Sequence, residues 1–210
     1  MPSANIVKEF AQDQVYHVYN RGVEKRDIFL DDQDYSVFIG LLKKYLTGKT
    51  TNNNNRHAFS SLKGRIDLLS FCLMPNHFHL LFYQKDEKAL TQLMRRVNTG
   101  YVMYFNNRYG RVGSLFQGIY KASLVEKDDY LHRVSRYIHA NPDDLENWPY
   151  SSFQYYKGNR EADWLKTDTI LELFDNNKGE YIEFVREYSE SKNEATDIRW
   201  QLADLGESHL

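Results

Sequence analysis

Apolar residues recur along this chain with two different periods, and the switches between them mark its elements. Val15 to Asn20 (VYHVYN) has the β-branched and aromatic content of a strand, and Asn20-Arg21-Gly22 supplies turn chemistry behind it, which predicts a first strand near residues 14–19. The period then lengthens: Tyr35, Phe38, Ile39, Leu42 and Tyr45 fall at helical spacings after the acidic start Asp31-Asp32, predicting a helix over 34–46. Thr47 to His57 has no apolar periodicity and is expected to be a mobile loop. Ile66 to Leu73 is a nearly continuous apolar run that stops at Pro75-Asn76 and resumes from His77 to Tyr83, as two neighbouring strands joined by a short turn would. Leu90, Leu93, Met94, Val97, Tyr101, Tyr104 and Phe105 mark a second long helix over 88–109, weakened or bent at Gly100 and ended by Gly110. Leu115 to Val125, with Gly118 inside it, reads as a further strand, and Asp128-Asp129 start a helix that Pro142 stops.

Strand, helix, strand, strand, helix, strand, helix contains the βαββαβ unit of a ferredoxin-like fold. The expected fold class is therefore α+β: an antiparallel sheet with helices on one face, the other open to a ligand, and an added helix after the last strand. The aromatic stretch Trp148 to Tyr156 is expected to pack back on this body. Ile170 to Phe174 and Tyr181 to Tyr188 look like short acidic amphipathic helices, and the final stretch is expected to fray. We divide the chain into a catalytic or binding domain, 1–156, and an acidic, partly helical C-terminal extension, 157–210.

Composition narrows the class. With 210 residues, 41% of them hydrophobic, the chain can bury a sizeable core. No run is apolar enough to span a membrane, no signal-peptide segment stands at the start, and the single Cys72 excludes an internal disulfide framework, so the expectation is a soluble cytoplasmic protein. Charge changes the picture more. Residues 1–142 hold 20 Lys and Arg against 13 Asp and Glu, whereas 143–210 hold 7 against 16. Between Lys88 and Val125 there is no acidic residue at all. A basic body followed by an acidic segment suits a polyanion partner, although a +7 surface can equally be a solvated one.

Candidate chemistry begins at His77-Phe78-His79. Side chains alternate across a strand, so both imidazoles face one side and Phe78 the other, giving two metal ligands on a rigid element. A pair of exposed histidines would show the same spacing. On the last helix of the body Tyr137 and Asn141 are four residues apart and share a face, with Arg133 one turn earlier. A tyrosine nucleophile must lose its proton while a cation stabilises the phosphate under attack, and two histidines with the Asn141 oxygen could hold that cation. Among 16 tyrosines most are structural, and Asn141 before Pro142 also reads as an ordinary helix end.

Longer segments carry a resemblance. Leu73-Met74-Pro75-Asn76-His77-Phe78-His79-Leu80-Leu81 resembles the His-hydrophobic-His segment of single-tyrosine HUH transposases. Val18 to Gly22, Phe105 to Gly110, Gly113 to Ser123 and Arg136 to Pro142 are similar, in the same order, to segments of one branch, the REP-associated tyrosine transposases, relatives of the transposases of the simplest insertion sequences. The resemblance spans about residues 14–156. It implies that His77 and His79 ligate a divalent metal, that Tyr137 is the nucleophile, and that Asn141, where some branches have glutamine, completes the metal site. It further implies cutting of single-stranded DNA beside a hairpin, leaving a 5′-phosphotyrosine and a free 3′-hydroxyl, by a homodimer that is nucleoid-associated when bound to DNA.

The donor set of two imidazoles and one amide oxygen favours Mn²⁺ over Mg²⁺ in affinity, while cellular abundance favours Mg²⁺. Phosphate contacts are expected from Arg95, Arg96, Arg108, Arg111, Lys121 and Arg133, and base stacking from Tyr104, Tyr109 or Phe116, with the helical stripe arguing that Tyr104 is instead core. His17, His132 and His139 are given no catalytic role, and Cys72 is read as a small buried strand residue. Two rivals remain at this point: a noncatalytic single-stranded nucleic-acid-binding protein on the same fold, and a metal-dependent hydrolase with no covalent intermediate.

Overall fold

The computed structural model describes residues 10–48, 61–125 and 128–190. The expectations of a mobile loop over 47–57 and of fraying at the end fall largely outside these residues. Four strands, β1 (Gln14–Arg21), β2 (Ile66–Met74), β3 (His77–Gln84) and β4 (Lys121–Val125), form one antiparallel sheet in the order β2-β3-β1-β4. The long helices are α1 (Asp32–Thr47) between β1 and β2, α2 (Ala89–Arg108) between β3 and β4, and α3 (Asp128–His139) after β4. Two short helices, α4 (Phe153–Tyr156) and α5 (Asp168–Leu171), and the longer α6 (Lys178–Glu190) follow. This is the expected ferredoxin-like order with its added helix.

Local chemistry sets the boundaries. Asp31 caps α1, its side chain accepting from the backbone N–H groups of Gln33 and Asp34, and Gly48 ends the helix in the left-handed region at φ 71°. α2 runs unbroken through Gly100, which lets it lie close to α1, where an added Cβ would stand 3.3 Å from a Leu41 methyl group. The last strand is shorter than the predicted 115–125. Leu115 and Phe116 turn inward as buried residues and Phe116 makes only an isolated bridge to Gly22, so regular pairing begins at Lys121.

Both faces of the sheet are covered, which corrects the expectation of an open face. On one side Val18, Phe71, Leu73, Phe78, Leu80 and Phe82 meet Phe38 and Leu42 of α1 and Leu93, Val97 and Tyr101 of α2. On the other, Leu69, Cys72, Leu81 and Val125 meet Leu131, Val134 and Ile138 of α3, with Tyr181, Val185 and Tyr188 of α6 behind them. The reason lies in β2 and β3, whose nearly unbroken apolar runs bury both parities. A register shift between Leu68 and Ser70 keeps the alternation useful, sending Phe71 and Leu73 to the α1–α2 layer and Cys72 to the α3 layer. As expected, Trp148 to Tyr156 folds back: Trp148 donates its indole N–H to the Leu73 carbonyl and Tyr150 stacks on Tyr35.

Candidate active site

The β2–β3 turn is two residues long and is fastened from outside. The Pro75 carbonyl accepts from the backbone N–H groups of Ile28 (2.7 Å) and Phe29 (3.0 Å), and the Asn76 carbonyl accepts from Gly22 (2.9 Å). The first residue beyond this turn is His77. Pairing places Arg21 opposite His77 and Tyr19 opposite His79, while Phe78 points away into the α1–α2 core, 5.1 Å from the Phe38 ring. The imidazoles thus share the α3 face of the sheet.

Helix α3 delivers the remaining groups. Its buried stripe of Leu131, Val134 and Ile138 fixes its rotation on the sheet, which turns Tyr137 toward the histidines. The Tyr137 ring lies edge-on to His79, centroids 5.4 Å apart, and 6.3 Å from His17. Asn141, just past the helix end, brings its Oδ1 to 3.1 Å from His77 Nε2. The helix is held from behind by buried polar links. The Tyr181 hydroxyl is 2.6 Å from both Ser135 Oγ and His139 Nδ1, and His139 Nε2 is 2.6 Å from Ser152 Oγ, which itself donates to the Phe71 carbonyl on β2. Arg136 adds a cation sandwiched by the Phe184 and Tyr188 rings at 4.1 and 4.5 Å.

The arrangement of the histidines is compatible with metal ligation. Asn76 donates through Nδ2 to the Lys25 carbonyl, so its Oδ1 faces His77 and accepts from Nδ1 at 2.6 Å. A neutral His77 then has a lone pair on Nε2, facing the Asn141 oxygen. Two acceptors 3.1 Å apart are reconciled by a cation between them or by a half-turn of the Asn141 amide. The spacing matches the edge of an octahedron, about 3 Å for oxygen or nitrogen ligands at about 2.1 Å. His79 is fully buried and its Nε2 has no partner, an orphaned polar atom of the kind a ligand would satisfy. Burial lowers the pKa of His77 and lowers His79 well below the usual value, with His17 and His77 adding to the effect on His79, while burial holds His17 at about 3. All three rings are neutral at pH 7, the form that coordinates. Among the described residues no group of three His, Cys, Asp or Glu side chains is placed to hold a metal ion, so the fitting donor set is His77, His79 and the Asn141 amide oxygen.

Of the six basic residues expected to touch DNA, two share this face. Lys121 on β4 pairs with Tyr19, beside His79, and Arg133 is exposed one turn before Tyr137. Arg95 and Arg96 sit on α2 behind the sheet, where Arg96 covers the Tyr45 ring. Arg108 is bound to Asp31 (2.6 Å) and Asp34 (2.8 Å), and Arg111 packs over Phe105. Tyr104 and Tyr109 both donate to Asp34, and Phe116 is buried against Phe78, so these three rings are structural. Cys72 is buried on β2 as expected. Sequence reasoning missed Arg21, whose cation stands beside His77, and Asn76 and His17, the partners of the two candidate ligand histidines. Parity along β1 could have flagged Arg21 and His17 together, since residues 17, 19 and 21 share a face.

Residues 37–141, the span that contains both histidines, Tyr137 and Asn141, match the sequence profile of the family described as IS200-like transposases. The chain belongs to that family. This transposase also shares its fold with the solved structure of a REP-associated tyrosine transposase bound to a REP hairpin, at a TM-score of 0.56 and 13% identity, over 77% of this chain and 91% of the other. A Deinococcus radiodurans R1 protein assigned as a transposase superposes more loosely, at a TM-score of 0.39 and 12% identity over 66% of this chain and 95% of that one. No curated protein sequence matches the chain. The HUH transposase resemblance read from the sequence therefore holds in family and in fold, and the chain is a DNA transposase.

Proposed function

We propose that this transposase cuts and rejoins single-stranded DNA beside a hairpin, with Tyr137 as nucleophile and His77, His79 and Asn141 holding Mg²⁺ or Mn²⁺. The observation that carries the reading is the meeting of Tyr137 with His79, whose Nε2 is buried without a partner, beside the facing lone pairs of His77 and Asn141. When bound, the divalent ion supplies Lewis-acid stabilisation of charge on the phosphate oxygens.

The chain's own groups do the rest. Tyr137 Oη attacks the phosphorus, a Tyr–O–P bond forms, the bond to the 3′-oxygen breaks, and the phenolic proton is balanced by the one taken up at the released 3′-hydroxyl. The phosphotyrosine conserves the ester, so another 3′-hydroxyl can reverse the step without ATP. Arg21, Lys121 and Arg133 surround the site as phosphate contacts, which makes affinity fall with salt. The resemblance also favours a homodimer. Because Tyr137 meets the histidines of its own chain, dimerisation would pair two cutting sites and not complete one.

The test mixes end-labelled single-stranded hairpin oligonucleotides with the protein and Mn²⁺ or Mg²⁺ and looks for protein-linked DNA on a denaturing gel. The adduct is expected from the wild type and lost in Tyr137→Phe, in His77→Ala and with EDTA. Cleavage that persists in Tyr137→Phe would overturn the nucleophile, and hairpin binding with no adduct or cleavage across a broad hairpin pool would favour a noncatalytic binding protein. Sedimentation velocity tests the dimer.

A further inference from the structure

His17 lies outside every motif that points to the reaction, yet it is buried at the back of the site. Its Nε2 is 2.9 Å from His79 Nδ1, and its ring stacks on His79 at 5.1 Å and on Tyr19 at 5.1 Å. One proton must lie between the two nitrogens. The atoms on the far sides of the pair, His17 Nδ1 and His79 Nε2, are both buried and both without a partner.

Two arrangements satisfy the central bond. If His17 donates, the His79 proton sits on Nε2, buried and unmatched, and that nitrogen is closed to a cation. If His79 donates, its Nε2 carries a lone pair aimed at the site, and the unmatched proton moves to His17 Nδ1. Each leaves one buried N–H without an acceptor, a comparable penalty, so protein contacts alone choose weakly between them. His77 has no such freedom, because Asn76 is itself fixed by the Lys25 carbonyl.

We propose that His17 is a positioning residue that accepts the Nδ1 proton of His79 and thereby presents the Nε2 lone pair of His79 to the divalent metal. The inference rests on the metal reading above and deepens it. It assigns the two ligand histidines different supports: a fixed one in Asn76, and a switchable one in His17 that settles when the cation arrives. Outer partners of metal-bound histidines orient the ring and raise its basicity in this manner.

The experiment uses the full chain without DNA. Nitrogen-15 histidine NMR during Mg²⁺ addition should show His79 and His17 both adopting the Nδ1–H form as the site fills. Mn²⁺ titration, read by the free-ion EPR signal, should show affinity falling about 10- to 100-fold in His17→Phe. His17→Gln, whose side-chain oxygen can accept from His79 Nδ1, should retain most of it. Equal affinity in wild type and His17→Phe would overturn the inference and leave the metal reading standing. A His17→Gln variant as weak as His17→Phe would also overturn it, since a merely accepting role is then insufficient. If His17→Phe fails to fold, the wild-type spectra decide: His79 keeping its proton on Nε2 in the loaded protein sinks the proposal. A wild type that binds neither ion sinks the metal reading and this one with it.

Discussion

Two buried polar clusters lie on opposite sides of the same sheet and are completed in opposite ways. Behind the sheet, the fully buried Asp34 accepts from the Leu30 backbone N–H (2.8 Å), the Tyr104 and Tyr109 hydroxyls (2.8 and 2.9 Å) and Arg108 Nη1 (2.8 Å). That carboxylate is saturated and ties α1 to α2. In front, His17 and His79 satisfy each other and leave their outer nitrogens orphaned. A closed cluster is what stability selects, because every desolvated group has its partner. An open one is tolerable where a ligand closes it. The comparison separates residues that hold this transposase together from residues proposed to act, although both kinds are polar and buried.

The largest expected effect breaks the two apart cleanly. Tyr137→Phe should abolish the covalent DNA adduct while changing unfolding free energy by less than about 1 kcal/mol, as read by urea denaturation. Asp34→Ala should do the reverse: it takes the acceptor from the Leu30 N–H and the Tyr104 and Tyr109 hydroxyls, at about 1–3 kcal/mol for each group left unsatisfied, and the adduct formed per folded molecule should be unchanged. Tyr181→Phe falls between them. It deprives Ser135 and His139 of a buried partner, for a loss of about 1–3 kcal/mol, and because both flank Tyr137 on α3 the adduct rate should fall as well. The smallest effect concerns Glu146, whose hydrogen bond from Arg186, helped by Lys157, holds its carboxyl down at about 2. A depressed carboxylate stabilises the fold above its unfolded pKa and loses that contribution as pH falls from about 4.3 toward 2. Solvent screening at this partly exposed pair keeps the loss to about 1 kcal/mol or less, and Glu146→Gln should flatten that part of the stability–pH curve.

Much of this was legible in the sequence because it is local. The periods of α1 and α2, the paired runs around Pro75-Asn76 and the His77-Phe78-His79 alternation depend on neighbours in the chain, and the structure keeps them within a residue or two. The four-residue step from Tyr137 to Asn141 survived for the same reason. What escaped depends on partners far away. Arg108 looked available for phosphate because nothing nearby is acidic, yet Asp31 and Asp34 reach it from α1. His17 looked idle because only the pairing of β1 with β3 brings it to His79. The covered front face was hidden in the double-sided burial of β2 and β3, which a reading of helices alone does not reveal.

The hold of α6 on α3 has a consequence for how this protein is made. Translation delivers β1, the histidine hairpin and Tyr137 before Lys178–Glu190, so a nascent chain owns every proposed reacting group before it owns the Tyr181 hydroxyl or the Phe184–Tyr188 slot for Arg136. A chain stopped short of Lys178 would carry the chemistry without its support. The helix that carries Tyr137 is thus braced by a segment the ribosome supplies after it.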